Sequence, residues 1–186
     1  MSRIRKPSIA GRLGAGAAIR LGVVAVLLGM PAVYADVPVE KANVAKRAAD
    51  AELRLRLTGT WKLIAIRDRD PATGKETPAA RAADDGQLVY APNGRLSVQI
   101  ARKGRESAPK GSADGFSSYF GRWELLPAEG CVVHHQDGNL NYAQTGQAAK
   151  RYYSFDAEGH LSLATPPAKR DDGHVMSTVF VWEKIP

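Results

Sequence analysis

Two adjacent histidines, His134 and His135, stand directly after the apolar run Cys131-Val132-Val133. Imidazole titrates near neutral pH and can give or take a proton, so either ring could anchor a polar ligand atom or, in an enzyme, act as the catalytic acid–base group. Successive side chains of a strand face opposite sides, so only one of the two can point into an enclosed space. That makes them a poor pair for one metal ion, although His160 or His174 could join one of them from another strand. No His-x-His, Cys-x-x-Cys or His-Glu-x-x-His spacing is present, so no metal site is assigned. The plainer reading of each is a hydrogen-bonded structural histidine. Arg151 is their natural complement. A guanidinium enclosed by a sheet needs an acid to offset desolvation, and Glu183 or Glu124 could supply it within the chain; otherwise a carboxylate, enolate or phenolate on a ligand fits. Tyr119 and Tyr153 stand beside Gly121-Arg122 and Arg151, where a hydroxyl could orient an oxygenated ligand. Trp123 counts with them as a ligand-contacting ring, while Tyr90, Tyr152 and Phe155 read as core.

The elements that must position these residues are mostly short strands. Lys41 to Leu57 reads as one helix, rich in Ala, Leu, Lys, Arg and Glu, with Val44, Ala48, Ala51 and Leu55 forming an apolar stripe that could lie against the end of a β structure. From Thr58 the texture changes. Thr60–Arg67, Gln87–Tyr90, Arg95–Ala101, Tyr119–Leu126, Cys131–Gln136, Lys150–Phe155, His160–Ala164 and Val175–Lys184 make about eight strands, most joined by Gly- or Pro-containing turns. Ala91-Pro92-Asn93-Gly94 signals a tight hairpin of the primed type. Arg102 to Gly115 has no apolar period and reads as a loop, either a lid or plain disorder. With one helix and so many antiparallel strands, the expected fold is all-β: an up-and-down barrel, since closure removes exposed edges. Such a barrel can hold one ligand or fill itself with side chains.

Charge is placed unevenly. The 186 residues hold 26 Lys and Arg against 19 Asp and Glu, a formal net charge of +7. Arg3, Arg5, Lys6, Arg12 and Arg20 fall in the first 35 residues, where no acid occurs, so the rest of the chain is close to balance. Residues 1–35 therefore read as a secretory signal with a basic n-region, an apolar stretch from Leu21 to Val33 and cleavage after Ala35, leaving a segment 36–57 and a barrel domain 58–186 in the periplasm or outside the cell. The uninterrupted apolar run Leu21 to Leu28 falls short of the ~20 residues a spanning helix needs, and no later segment would cross a bilayer. The basic loops alternate with acids or glycines, which argues against nucleic acid. Gly11, Gly14 and Gly16 belong to the leader and make no phosphate cradle, so no cofactor is expected. Cys131, the single cysteine, has no partner for an internal disulfide and reads as a buried strand residue.

In order along the chain, Gly59-Thr60-Trp61, Leu88-Val89-Tyr90-Ala91-Pro92-Asn93-Gly94-Arg95-Leu96, Tyr119-Phe120-Gly121-Arg122-Trp123-Glu124, Val132-Val133-His134-His135, Arg151-Tyr152-Tyr153, Leu161 to Pro167 and Val181-Trp182-Glu183-Lys184 resemble the bacterial and fungal lipocalin-like domain family. The resemblance runs from Leu57 to Lys184 and implies a small calycin-type barrel with a cavity. Where the family commonly closes with Arg this chain has Lys184, so a stack on Trp61 would lose the planar guanidinium. Three functions follow. The first is an exported barrel binding a small, mostly apolar or amphipathic molecule through a few polar anchors. The second is a cofactor-free isomerase, cyclase or hydratase using His134 or His135. The third is an envelope structural or interaction protein with a filled barrel.

Overall fold

Helix α1, Val37–Leu57, leads directly into the first strand, and its last turn is tied down carbonyl by carbonyl. Thr58 Oγ1 donates to Arg54 O at 2.8 Å, Lys184 Nζ to Arg56 O at 3.0 Å and Trp61 Nε1 to Leu57 O at 2.9 Å. Helix C-termini leave such acceptors unpaired, and here the barrel supplies the donors. The computed structural model describes residues 37–79 and 83–186; the leader read over 1–35 lies outside the described residues.

Ten strands follow: β1 Gly59–Arg69, β2 Glu76–Pro78, β3 Ala83–Tyr90, β4 Arg95–Arg102, β5 Phe116–Leu126, β6 Cys131–Asn139, β7 Ala148–Phe155, β8 Leu161–Ala164, β9 Ala168–Lys169 and β10 Val175–Ile185. Their order is β2-β1-β3-β4-β5-β6-β7-β8-β10-β9, and β1 also pairs antiparallel with β10. Eight of them therefore close into an antiparallel barrel, with β2 and β9 as short additions at one rim. This is the expected architecture. The hairpin at 91–94 is present but its turn differs: Ala91 N–H bonds Arg95 O, Gly94 N–H bonds Ala91 O, and Gly94 takes φ 83. Three residues form the link, with glycine in the left-handed position, so a two-residue primed turn is replaced by the next commonest class.

The alternation of each strand sends one set of side chains inward. Trp61, Leu63, Leu88, Tyr90, Leu96, Val98, Trp123, Val132, Leu161 and Trp182 belong to one buried cluster. One end of this core is shut by α1. Leu57 is fully buried and Leu53 packs beside it, while Arg54 and Arg56 place their guanidinium carbons 4.2 and 3.7 Å from the ring centroids of Trp123 and Phe155. The stripe expected to make this contact does not: Val44 and Leu55 are exposed, because docking falls to the helix's final turn rather than to its length. Lys184 lies over Trp61 at 5.2 Å, in the place where a stacked arginine was expected to be missed.

The other end stays open. The connection from β4 to β5 is ordered by its own bonds, including Arg105 Nη1 to Asp114 O at 2.7 Å, and it carries a 3-10 turn over Arg105–Ser107. Ala113 and Asp114 bring it to the rim of the interior. No helix among the described residues is long and apolar enough to cross a membrane.

Candidate functional site

The inward face of β6 carries Val132, His134 and Gln136; the outward face carries His135. Strand alternation thus separates the two histidines. His135 is half-exposed and bonds Glu124 at 3.0 Å on the outside, so it is placed away from the interior. His134 is buried at 1% exposure and lines a cavity of about 510 Å³ that opens between the 102–116 and 139–144 connections.

Both ring nitrogens of His134 meet a tyrosine. Tyr90 Oη lies 2.6 Å from Nε2 and Tyr119 Oη 2.9 Å from Nδ1. Burial pushes the His134 pKa well below the usual histidine value, with Arg151 and His135 adding to the effect, so the ring is neutral and has one donor and one acceptor. The network then assigns the tautomer. Tyr90 is fully buried and has His134 as its hydrogen-bond partner among the described residues, so its proton goes to Nε2. Nδ1–H accordingly donates to Tyr119, whose own proton is left for the cavity. Burial raises both phenol pKa values, and both stay protonated.

Arg151 comes from the inward face of β7 and lines the same cavity. Neither acid expected to pair with it does so: Glu124 bonds His135 and Glu183 is exposed. One guanidinium N–H goes to Lys150 O at 2.8 Å, and the side chain lies close enough to the Tyr119 hydroxyl to offset part of what burial does to its pKa. Among the described residues no carboxylate pairs with it.

Tyr119, His134 and Arg151 are therefore brought together. Trp123 and Tyr153, expected with them, are not among the cavity-lining side chains. Trp123 sits beneath the floor, 4.8 Å from the Tyr90 ring, with Arg54 over it and its Nε1 bonded to Ala91 O. Tyr153 points inward but packs against the core towards the closed end. Two steps down an inward-facing strand shifts a residue by roughly 7 Å along the barrel, enough to move a side chain from cavity to plug. Sequence reading missed Tyr90, which looked like core, and Trp182, which was given no place at the site. Trp182 does line the cavity, and its buried Nε1–H has no hydrogen-bond partner among the described residues. The inward parity of Tyr90 with Leu88 was the available signal for the first; nothing in the sequence marked the second.

Cys131 is fully buried and burial raises its thiol pKa, which suits a packed residue and not a nucleophile. Asp156, Glu158 and His160 gather within 4.8 Å on the turn after β7, where His160 Nδ1 already bonds Asp156 at 2.9 Å. That bond and the turn account for the cluster.

No curated protein matches the chain. The lipocalin-like domain matches over residues 58–185, from the residue after α1 to the last residue of β10, which is the span that closes the barrel. The match and the closed eight-stranded sheet around a cavity agree, and the chain belongs to the family of lipocalin-like domains.

Proposed function

We propose that this protein is exported and binds a small, mostly apolar molecule inside its barrel, held at a few polar points. The observation that carries the reading is the cavity: about 510 Å³, walled in part by Leu88, Val98, Ile100, Leu163 and Phe180, with His134, Tyr119 and Arg151 among its polar groups and Asp114, Ser117, Ser118 and Asn141 adding to them. Small-molecule sites typically have volumes of roughly 300–1,000 Å³ and set polar anchors beside apolar side chains. A filled barrel acting only through its outer surface does not account for that space. The leader read over residues 1–35 supports export.

Native mass spectrometry of the protein purified from its own envelope fraction, set against the denatured mass of the same sample, tests both parts. A denatured mass lacking residues 1–35 with a stoichiometric extra mass in the native state is expected. A full-length chain, or a native protein that carries nothing and takes up no apolar dye, would overturn the corresponding part.

One observation favours a second reading, proton transfer on the bound molecule. The Tyr90, His134 and Tyr119 chain ends on a hydroxyl directed at the cavity, and Tyr119 is the member that would touch a ligand. In that reading His134 positions Tyr119 rather than meeting the ligand itself. Tyr119→Phe would then keep the extra mass but stop its conversion; a Tyr119→Phe protein with unchanged turnover would discard the enzyme.

A further inference from the structure

Arg151 brings a positive charge to the cavity wall that no carboxylate pairs with among the described residues. Arg151 donates one N–H to Lys150 O and lies beside the Tyr119 hydroxyl, and its other N–H donors have no carboxylate partner among the described residues. In the tautomer that satisfies Tyr90, Tyr119 Oη receives the Nδ1–H of His134, which leaves its own proton for the cavity that the side chain lines. Trp182 also lines the cavity, but its indole N–H is buried away from it, with no hydrogen-bond partner among the described residues. The remaining charged side chains of the lining, Arg102 and Asp114, come from the two ends of the 102–116 connection at the rim. Gln136 and Asn139 bond each other, so their amides are turned to one another.

Resting on the cavity reading above, we infer that the occupant is an amphipathic acid, whose carboxylate, or an enolate of the same charge, takes the Arg151 guanidinium and the Tyr119 hydroxyl while its apolar body lies along Leu88, Val98 and Leu163. A guanidinium in a low-dielectric enclosure is stabilised by an anion far more than by a neutral oxygen, and charge-assisted bonds are roughly twice as strong as neutral ones. An amine at this position would meet Arg151 with like charge. A neutral alcohol would satisfy Tyr119 and leave the guanidinium uncompensated.

The test uses two matched pairs, decanoate with 1-decanol and 2-naphthylacetate with 2-naphthylethanol, titrated into the purified protein at pH 7.5. The two scaffolds separate shape from charge. The acid is expected to bind at least tenfold tighter than its alcohol on whichever scaffold fits. Arg151→Met should bring that ratio close to one, Arg151→Lys should retain part of it, and Arg54→Met at the closed end should leave it as in the native protein. Equal binding of acid and alcohol by the native protein, or a ratio that Arg151→Met and Arg151→Lys both leave unchanged, overturns the acid inference while the cavity reading stands. Failure of all four compounds to bind counts against the cavity reading as well.

Discussion

Arg54 and Arg56 at the closed end of this barrel and Arg151 in its open half each meet aromatic side chains, with opposite results. At the closed end Arg54 and Arg56 lie flat over Trp123 and Phe155, and the helix that carries them is bonded to the barrel through Thr58, Trp61 and Lys184. Their position is set by rings below and a helix behind. In the open half Arg151 has no ring beneath it and no carboxylate beside it among the described residues, only a carbonyl and a phenol. A stacked arginine gains from dispersion and the ring quadrupole while its edge stays wet, so it serves as a lid. An arginine with unspent donors on the wall of a cavity is a receptor. The same residue type thus changes role with what covers its face.

The largest test of that division is at the plug. Trp61→Ala removes a ring that is 1% exposed and bonded to Leu57 O, and it should destabilise the fold by about 4 kcal/mol, read as a shift of the urea midpoint. The acid-to-alcohol ratio of any variant that still folds should be unaffected. Next is Gly121 of β5, opposite the β6 bulge at Asp137 that sets Tyr119 against β6; a Cβ there would overlap the His135 carbonyl oxygen. Gly121→Ala should cost about 3 kcal/mol and, by moving β6, weaken ligand uptake too. A neutral result would mean that the bulge is slack and that the Tyr119 and His134 contact is not held by the sheet.

The pH dependence is smaller and separates the cavity from the plug. His134 is held neutral in the fold by burial, followed by Arg151 and His135, whereas in the unfolded chain it takes a proton near pH 6.5. Below that pH the unfolded state binds the extra proton, so stability is complete above about 6.5 and falls by about 1.4 kcal/mol per pH unit as the pH drops. Asp70, Glu76 and Asp156, whose carboxyls sit below their ordinary values, lose their contributions at lower pH than this. Urea midpoints between pH 7.5 and 5.5 should show the slope in the native protein and a flatter one in His134→Gln. Equal slopes would assign the effect to another group. Smallest is Arg54→Met, which exchanges the charge over Trp123 for an apolar chain and should cost about 0.5–1 kcal/mol. An acid-to-alcohol ratio altered by it as strongly as by Arg151→Met would erase the distinction between the ends.

Much of this was legible in the chain. Period-two runs and Gly or Pro links gave every barrel strand to within a few residues, because inward and outward faces see different solvents and a strand must alternate to serve both. The short β2 and β9 escaped, since three and two residues carry no period. In the site, alternation alone separated His134 from His135, and Arg151 with Tyr119 was identified from residue chemistry. Trp123 and Tyr153 share the inward parity of those two, yet the barrel's depth sorts them onto the plug.

Sequence by itself determined which way each side chain faces, because alternation is a property of the strand, and it determined the family, because the order of motifs is the order of the strands. How far along the barrel axis each inward residue comes to rest was decided only by closure. The bulges in β1 and β6, the shift of one strand against the next and the docking of the last turn of α1 set that depth together. Each depends on partners tens of residues away: Tyr90 reaches a histidine 44 positions on, and Lys184 a carbonyl 128 positions back. A local pattern has no coordinate for depth, so the difference between a plug arginine and a cavity arginine exists only in the folded protein.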